Sequence, residues 1–207
     1  MFCLFAYRPY GGLQQSFLRI AESCRKRGHR IQVLTMEWQG PARDDMGIEV
    51  IPVRRLRNHA RSKAFATAVQ RRVNEQEFDL VIGFNRMPGL DIYYAADPCY
   101  EARVRRLRNR AFRLTGRYRH FAAFERAVFG PGQNTQIITL AESEIPNFVR
   151  YYQTPRERFH VLPPGIARDR CAPPDAEEIR QRFRAQFGFC DSDFVVLMVG
   201  SGFKTKG

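Results

Sequence analysis

A few residues in this chain have the types and positions that chemistry needs. Gly11-Gly12 follows a short apolar run and opens a helical pattern, so its backbone could approach a ligand closely and present free helix N–H groups to a phosphate. A plain turn fits equally well, because the pair has neither the spaced glycines of a dinucleotide site nor the lysine of a P-loop. Asp97 follows the apolar run 92–96, at the expected carboxyl end of a parallel strand, where open sheets bind their ligands. Its carboxylate could accept a proton or hold a sugar hydroxyl; it could also cap a helix that begins near Tyr100. Arg170, in a proline-bearing stretch, and Lys206, in a glycine-flanked loop, are cations able to neutralise a diphosphate leaving group. Taken alone, Lys206 reads as an ordinary surface charge.

Other templates find no foothold. His120 and His160 have no metal spacing and no nucleophile beside them, and there is no Gly-x-Ser-x-Gly elbow or His-Glu-x-x-His pair. The expectation is chemistry without a metal or redox cofactor. The five cysteines are scattered and odd in number, which argues for a reducing compartment rather than a disulfide framework. No leader-like segment opens the chain, and no apolar run approaches the ~20 residues of a spanning helix, so a cytoplasmic protein with at most peripheral membrane contact is expected.

Charge is the strongest compositional signal, at +13 over 207 residues. It implies an anionic partner. More than half of the excess lies in residues 100–129, where nine arginines stand against two glutamates. Arg103, Arg105, Arg106, Arg108, Arg110 and Arg113 alternate there with Leu107, Phe112 and Leu114. A basic amphipathic helix of this kind suits an anionic membrane surface. Nucleic acid, or a solvated helix packed on the sheet through its apolar stripe, are the competing readings.

The elements that must position these residues alternate along the chain. Apolar runs predict strands over 2–6, 30–36, 48–53, 80–84, 92–96, 136–140 and 159–162, and helical spacing predicts helices over 13–27, 60–75, 100–129 and 142–153. Gly28 stands where a helix C-cap glycine belongs. Strand and helix in alternation imply an α/β fold with a parallel sheet covered on both faces. Residues 1–166 read as one Rossmann-like, acceptor-side domain and 167–175 as an interdomain linker. A helix over 176–187 and a strand over 194–199 then read as the start of a donor-binding domain, 176–207, that the chain leaves truncated.

Several strings, read together, carry a more specific signal. They are Tyr10-Gly11-Gly12-Leu13-Gln14, Gly83-Phe84-Asn85-Arg86-Met87-Pro88-Gly89-Leu90-Asp91, Ala95-Ala96-Asp97-Pro98-Cys99-Tyr100, Arg117-Tyr118-Arg119-His120-Phe121-Ala122-Ala123-Phe124-Glu125-Arg126, Tyr152-Gln153-Thr154, Leu162-Pro163-Pro164-Gly165-Ile166 and Val199-Gly200-Ser201. This set resembles the lipopolysaccharide core glucosyltransferase I family, retaining family 4 glycosyltransferases of GT-B fold, over almost the whole chain.

The resemblance implies glucose, or a related hexose, moved from UDP-glucose to an inner-core heptose, without metal. It implies that Gly11 and Gly12 approach the donor, that Asp97 lies near the reacting sugar, and that Arg170 and Lys206 face the donor diphosphate. It makes residues 100–129 a membrane-interacting region, placing the protein on the inner face of the inner membrane with a lipid A-core acceptor and no nucleic acid. Ser16 stands where family members carry an aspartate and Thr205 where they carry an arginine, which puts those two contacts in doubt. The glutamate pair that holds the donor in the family's second domain is absent, so the 207-residue chain alone is expected to be inactive. A non-catalytic membrane or lipid A binding module is the alternative.

Overall fold

The computed structural model describes residues 1–163, 165 and 171–198. The chain divides into two compact units, Met1–Pro164 and Gly165–Gly207. In the first, seven strands form one sheet: β1 (Phe2–Leu4), β2 (Gln32–Thr35), β3 (Gly47–Val50), β4 (Ile82–Gly83), β5 (Ile92–Ala95), β6 (Gln136–Thr139) and β7 (Phe159–Val161). Their order is β3-β2-β1-β4-β5-β6-β7, and every pairing is parallel. All strand carboxyl ends therefore lie along one edge, and the order reverses beside β1. The crevice of such a sheet opens between β1 and β4.

Alternation along β1 divides the core. Met1 and Cys3 point to one face, with Phe65, Phe129 and Phe148 from helices α2 (Asn58–Glu75), α4 (Gly116–Phe129) and α5 (Ile145–Tyr152). Phe2 and Leu4 point to the other, with Phe17 and Ala21 from α1 (Gly12–Lys26). Burial on both faces is what a parallel sheet requires. Gly28, at φ 89, ends α1, its N–H bonding Arg25 O at 2.9 Å while His29 N–H reaches Cys24 O at 3.2 Å.

Two expectations are corrected. Residues 100–129 are not one helix: α3 (Tyr100–Leu107) ends early, a 3-10 turn spans Arg110–Leu114, and α4 starts afresh. Asn109 and Thr115 cause the breaks, since their side-chain oxygens accept from the N–H groups of Phe112 (3.1 Å) and Tyr118 (3.2 Å) and so begin new turns. In the second unit, α6 (Ala176–Gln186) forms as expected, but residues 194–198 make no strand. A parallel strand draws its hydrogen bonds from neighbours, and among the described residues none pairs with it.

Candidate functional site

Three loops leave the carboxyl edge of the sheet beside the point where the strand order reverses: residues 5–11 after β1, 84–91 after β4 and 96–99 after β5. The two adjacent residues Asn85 and Arg86 tie all three together. Asn85 Oδ1 accepts from Phe5 N–H at 2.7 Å, closing the end of β1 onto the end of β4. Arg86 Nη2 reaches the other way, donating to the carbonyls of Asp97 (2.9 Å) and Pro98 (2.6 Å). Neither role was visible in the sequence. The signal available was a polar pair directly after an apolar strand.

Arg86 is anchored from below. Its Nη1 lies 2.7 Å from Oε1 of Glu125, a residue of α4 whose side chain is wholly buried. Burial works against the charge of Arg86, but the Tyr93 hydroxyl, Glu125 and Asp97 outweigh it and hold the guanidinium more firmly protonated than usual. Burial likewise pushes the Tyr93 hydroxyl and the Cys99 thiol up to about 12 each, so both stay neutral.

Glu125 also settles what caps α3. Its carboxylate accepts from the N–H groups of Tyr100 (2.7 Å) and Glu101 (3.0 Å), the first two residues of that helix, and from the Tyr152 hydroxyl at 2.6 Å. Asp97 is not the cap: the residue before the helix is Cys99, and Glu125 takes the place of a local side chain. The exposed Asp97 carboxylate is thus left at the carboxyl edge, on a loop held by its own backbone carbonyl.

The Gly11-Gly12 loop lies two strands away along the same edge. A side-chain carbon at Gly11 would stand 1.8 Å from Gln14 Oε1, whose amide nitrogen holds the Ala6 carbonyl at 3.2 Å. At Gly12 the corresponding position is open space. The first turn of α1 carries no acidic residue and no side-chain cap, so its N–H groups are available to an anion. Arg170 and Lys206 lie outside the described residues. Among the described residues no cluster of histidine, cysteine and acidic side chains could hold a metal ion.

The basic segment sorts into two sets. Arg105 and Arg113 are committed to Glu101, at 2.6 and 3.6 Å, and Tyr118 donates to the same carboxylate at 2.6 Å. Burial favours the neutral acid at Glu101, but these bonds and charges outweigh it and keep the carboxyl below its usual range. Arg103, Arg106 and Arg110 are exposed and make no ion pair among the described residues. Arg108 lies 5.3 Å over the half-buried Phe112 ring. Leu107 and Leu114 project into solvent between them. No described helix is long and apolar enough to cross a membrane.

Comparison with known proteins gives one consistent answer. The model for "Glycosyltransferase Family 4" matches residues 10–170. Lipopolysaccharide glucosyltransferase WaaG of Escherichia coli (strain K12) is 42% identical over 206 residues, covering 100% of this chain and 55% of its own length. The crystal structure of WaaG, a glycosyltransferase involved in lipopolysaccharide biosynthesis, superposes with a TM-score of 0.89 at 42% identity, over 100% of this chain and 56% of that one. The chain spans about half the length of the relatives it matches.

Proposed function

Because the chain belongs to glycosyltransferase family 4, we propose that the protein transfers glucose, or a related hexose, from UDP-glucose to an inner-core heptose of lipopolysaccharide with retention. The observation that carries this reading is the convergence of the Gly11-Gly12 loop, the Asn85-Arg86 tie and the exposed Asp97 carboxylate along one sheet edge.

In this reading the donor's C1–O bond to the diphosphate breaks as the acceptor hydroxyl bonds to C1 on the same face, and the hydroxyl proton passes to the departing diphosphate oxygen. The protein supplies orientation and charge stabilisation rather than a nucleophile. Gly11 and Gly12 let the main chain close on the donor, Asp97 orients a sugar hydroxyl, and Arg170 and Lys206 neutralise the diphosphate. No residue is assigned to a metal. Residues 1–166 serve the acceptor, 167–175 link, and 176–207 belong to the donor side.

The outward arginines Arg103, Arg106, Arg108 and Arg110, with Leu107 and Phe112, hold the protein against the anionic inner face of the inner membrane, where a lipid A-core acceptor is presented. Arg105 and Arg113 contribute through the conformation that Glu101 imposes on them. The same surface supports the second reading, a membrane or lipid A binding module without catalysis.

The test is UDP release from UDP-glucose by the full-length protein with a heptose-bearing acceptor. Asp97→Asn should lower kcat about 100-fold or more with vesicle binding unchanged. Turnover unaffected by that change would remove Asp97 from the site. Vesicle binding without any sugar transfer by the unaltered protein would favour the module.

A further inference from the structure

Far along the chain from the arginine segment, the loop between β3 and α2 carries Arg54, Arg55, Leu56 and Arg57, all exposed. Leu56 is fully open to solvent, at 105% relative exposure. A single exposed leucine needs no explanation. This one is set among three arginines and borders a cavity of about 460 Å³ whose opposite wall is Thr115, Gly116 and Arg117.

That cavity does not stand alone. Thr115 also lines a second one, of about 540 Å³, with Leu107 and Arg108. Arg117 lines a third, of about 310 Å³, with Arg103 and Tyr100, whose hydroxyl is buried without a hydrogen-bond partner. The three share lining residues around the 3-10 turn, and no carboxylate lines any of them. Arg57 from one loop and Arg103, Arg108 and Arg117 from the arginine segment thus line acid-free cavities that share walls, and Leu56, Leu107 and Leu114 of the same segments are 105%, 57% and 72% exposed.

We infer that the 54–57 loop is a second lipid-contacting element: Leu56 enters the boundary between headgroups and acyl chains, while Arg57 and Arg117 hold the phosphate of an anionic phospholipid in the cavity between them. The inference rests on the membrane reading above and extends it to a loop outside the arginine segment. Charge complementarity selects an anionic partner. Exposed aliphatic side chains among the arginines favour a bilayer, whose acyl boundary takes them in, over a nucleic acid, whose phosphates have no use for them. With anchors on two elements, the sheet edge bearing Asp97 is held at a fixed tilt to the bilayer, where a single basic helix would leave it free to roll.

The experiment is co-sedimentation of the 207-residue chain with vesicles of phosphatidylglycerol and phosphatidylethanolamine, against vesicles of phosphatidylcholine alone. Replacing Arg54, Arg55 and Arg57 together by glutamine should weaken binding to the anionic vesicles about 30-fold or more, and Leu56→Ser about fivefold, with the circular dichroism spectrum unchanged. A Leu56→Trp reporter in a Trp38→Phe background should be quenched by acyl-brominated lipid. Undiminished binding by both loop variants while the unaltered chain binds overturns the inference and leaves the membrane reading standing. An unaltered chain that ignores anionic vesicles overturns both. Inorganic phosphate or oligonucleotide binding that is lost in the same variants, with no quenching of the reporter by vesicles, overturns it in favour of a free-phosphate or nucleic-acid site.

Discussion

Arg86 and Glu125 form a 2.7 Å ion pair in the interior of the first unit, and each also bonds main chain. Arg86 holds carbonyls on the Asp97 loop, and Glu125 holds the amides that begin α3. One pair therefore fixes both the candidate catalytic loop and the root of the basic segment.

Removing one member of such a pair strands a buried charge. Glu125→Ala should cost about 3–5 kcal/mol of unfolding free energy in urea titrations. Glu125→Gln, which keeps an acceptor for the Tyr100 amide, should cost less. A loss under about 1 kcal/mol for the alanine variant would show that the pair is not holding the fold.

Arg158 is a buried cation of another kind, bonded among the described residues to carbonyls alone: Thr135 at 2.9 Å through Nε, and Val128 and Gly130 at the end of α4. Burial lowers its pKa. Arg158→Met leaves those acceptors orphaned and should cost about 2 kcal/mol or more, read as a lower urea midpoint. An unchanged midpoint would mean that solvent reaches the carbonyls.

His120 gives a pH signature. Burial, then the nearby charges of His59 and Lys63, lower its pKa from the ordinary 6.5. The unfolded chain therefore takes up this proton first as pH falls, so the stability His120 permits is complete above 6.5 and is lost as pH drops from there toward the lowered folded value. Melting temperatures between pH 7.5 and 5.5 should fall in the unaltered chain, and His120→Phe should flatten that slope. An equal slope in both would assign the effect elsewhere.

Thiol chemistry should divide the cysteines. Cys3 and Cys99 are buried, with pKa values pushed up to about 12, whereas Cys171 and Cys190 are exposed and Cys24 is intermediate. A disulfide reagent at pH 8 should modify Cys171 and Cys190 rapidly, Cys24 more slowly, and Cys3 and Cys99 only on unfolding. Rapid modification of Cys99 in the native chain would show that the α3 root opens.

The sheet was legible because periodicity is local. Six of the seven strands of the first unit fall within the stretches their apolar runs predicted, β3 begins one residue before its own, and Gly28 ends its helix as a glycine in that position should. The break at Asn109 was missed because arginine and leucine spacing masks a capping asparagine. The strand expected over 194–199 failed at 194–198 because strand formation depends on a neighbour as well as on an apolar run. Gly11, Gly12 and Asp97 could be placed at one sheet edge, yet the Arg86–Glu125 link that organises it joins residues far apart in sequence. Its only trace was a glutamate set among the apolar residues Phe124, Ala127, Val128 and Phe129.

The two ends of the arginine segment are closed on each other. Because a side chain of α4 holds the first amides of α3, the residues between form a closed loop, and the cost of closing it grows only slowly with its length. Its exposed positions can gain or shed arginines while the bonds that close it, made to main-chain amides, stay the same, provided that the buried Val104 and Phe124 are kept. The charge of this face can change without refolding the unit beneath it.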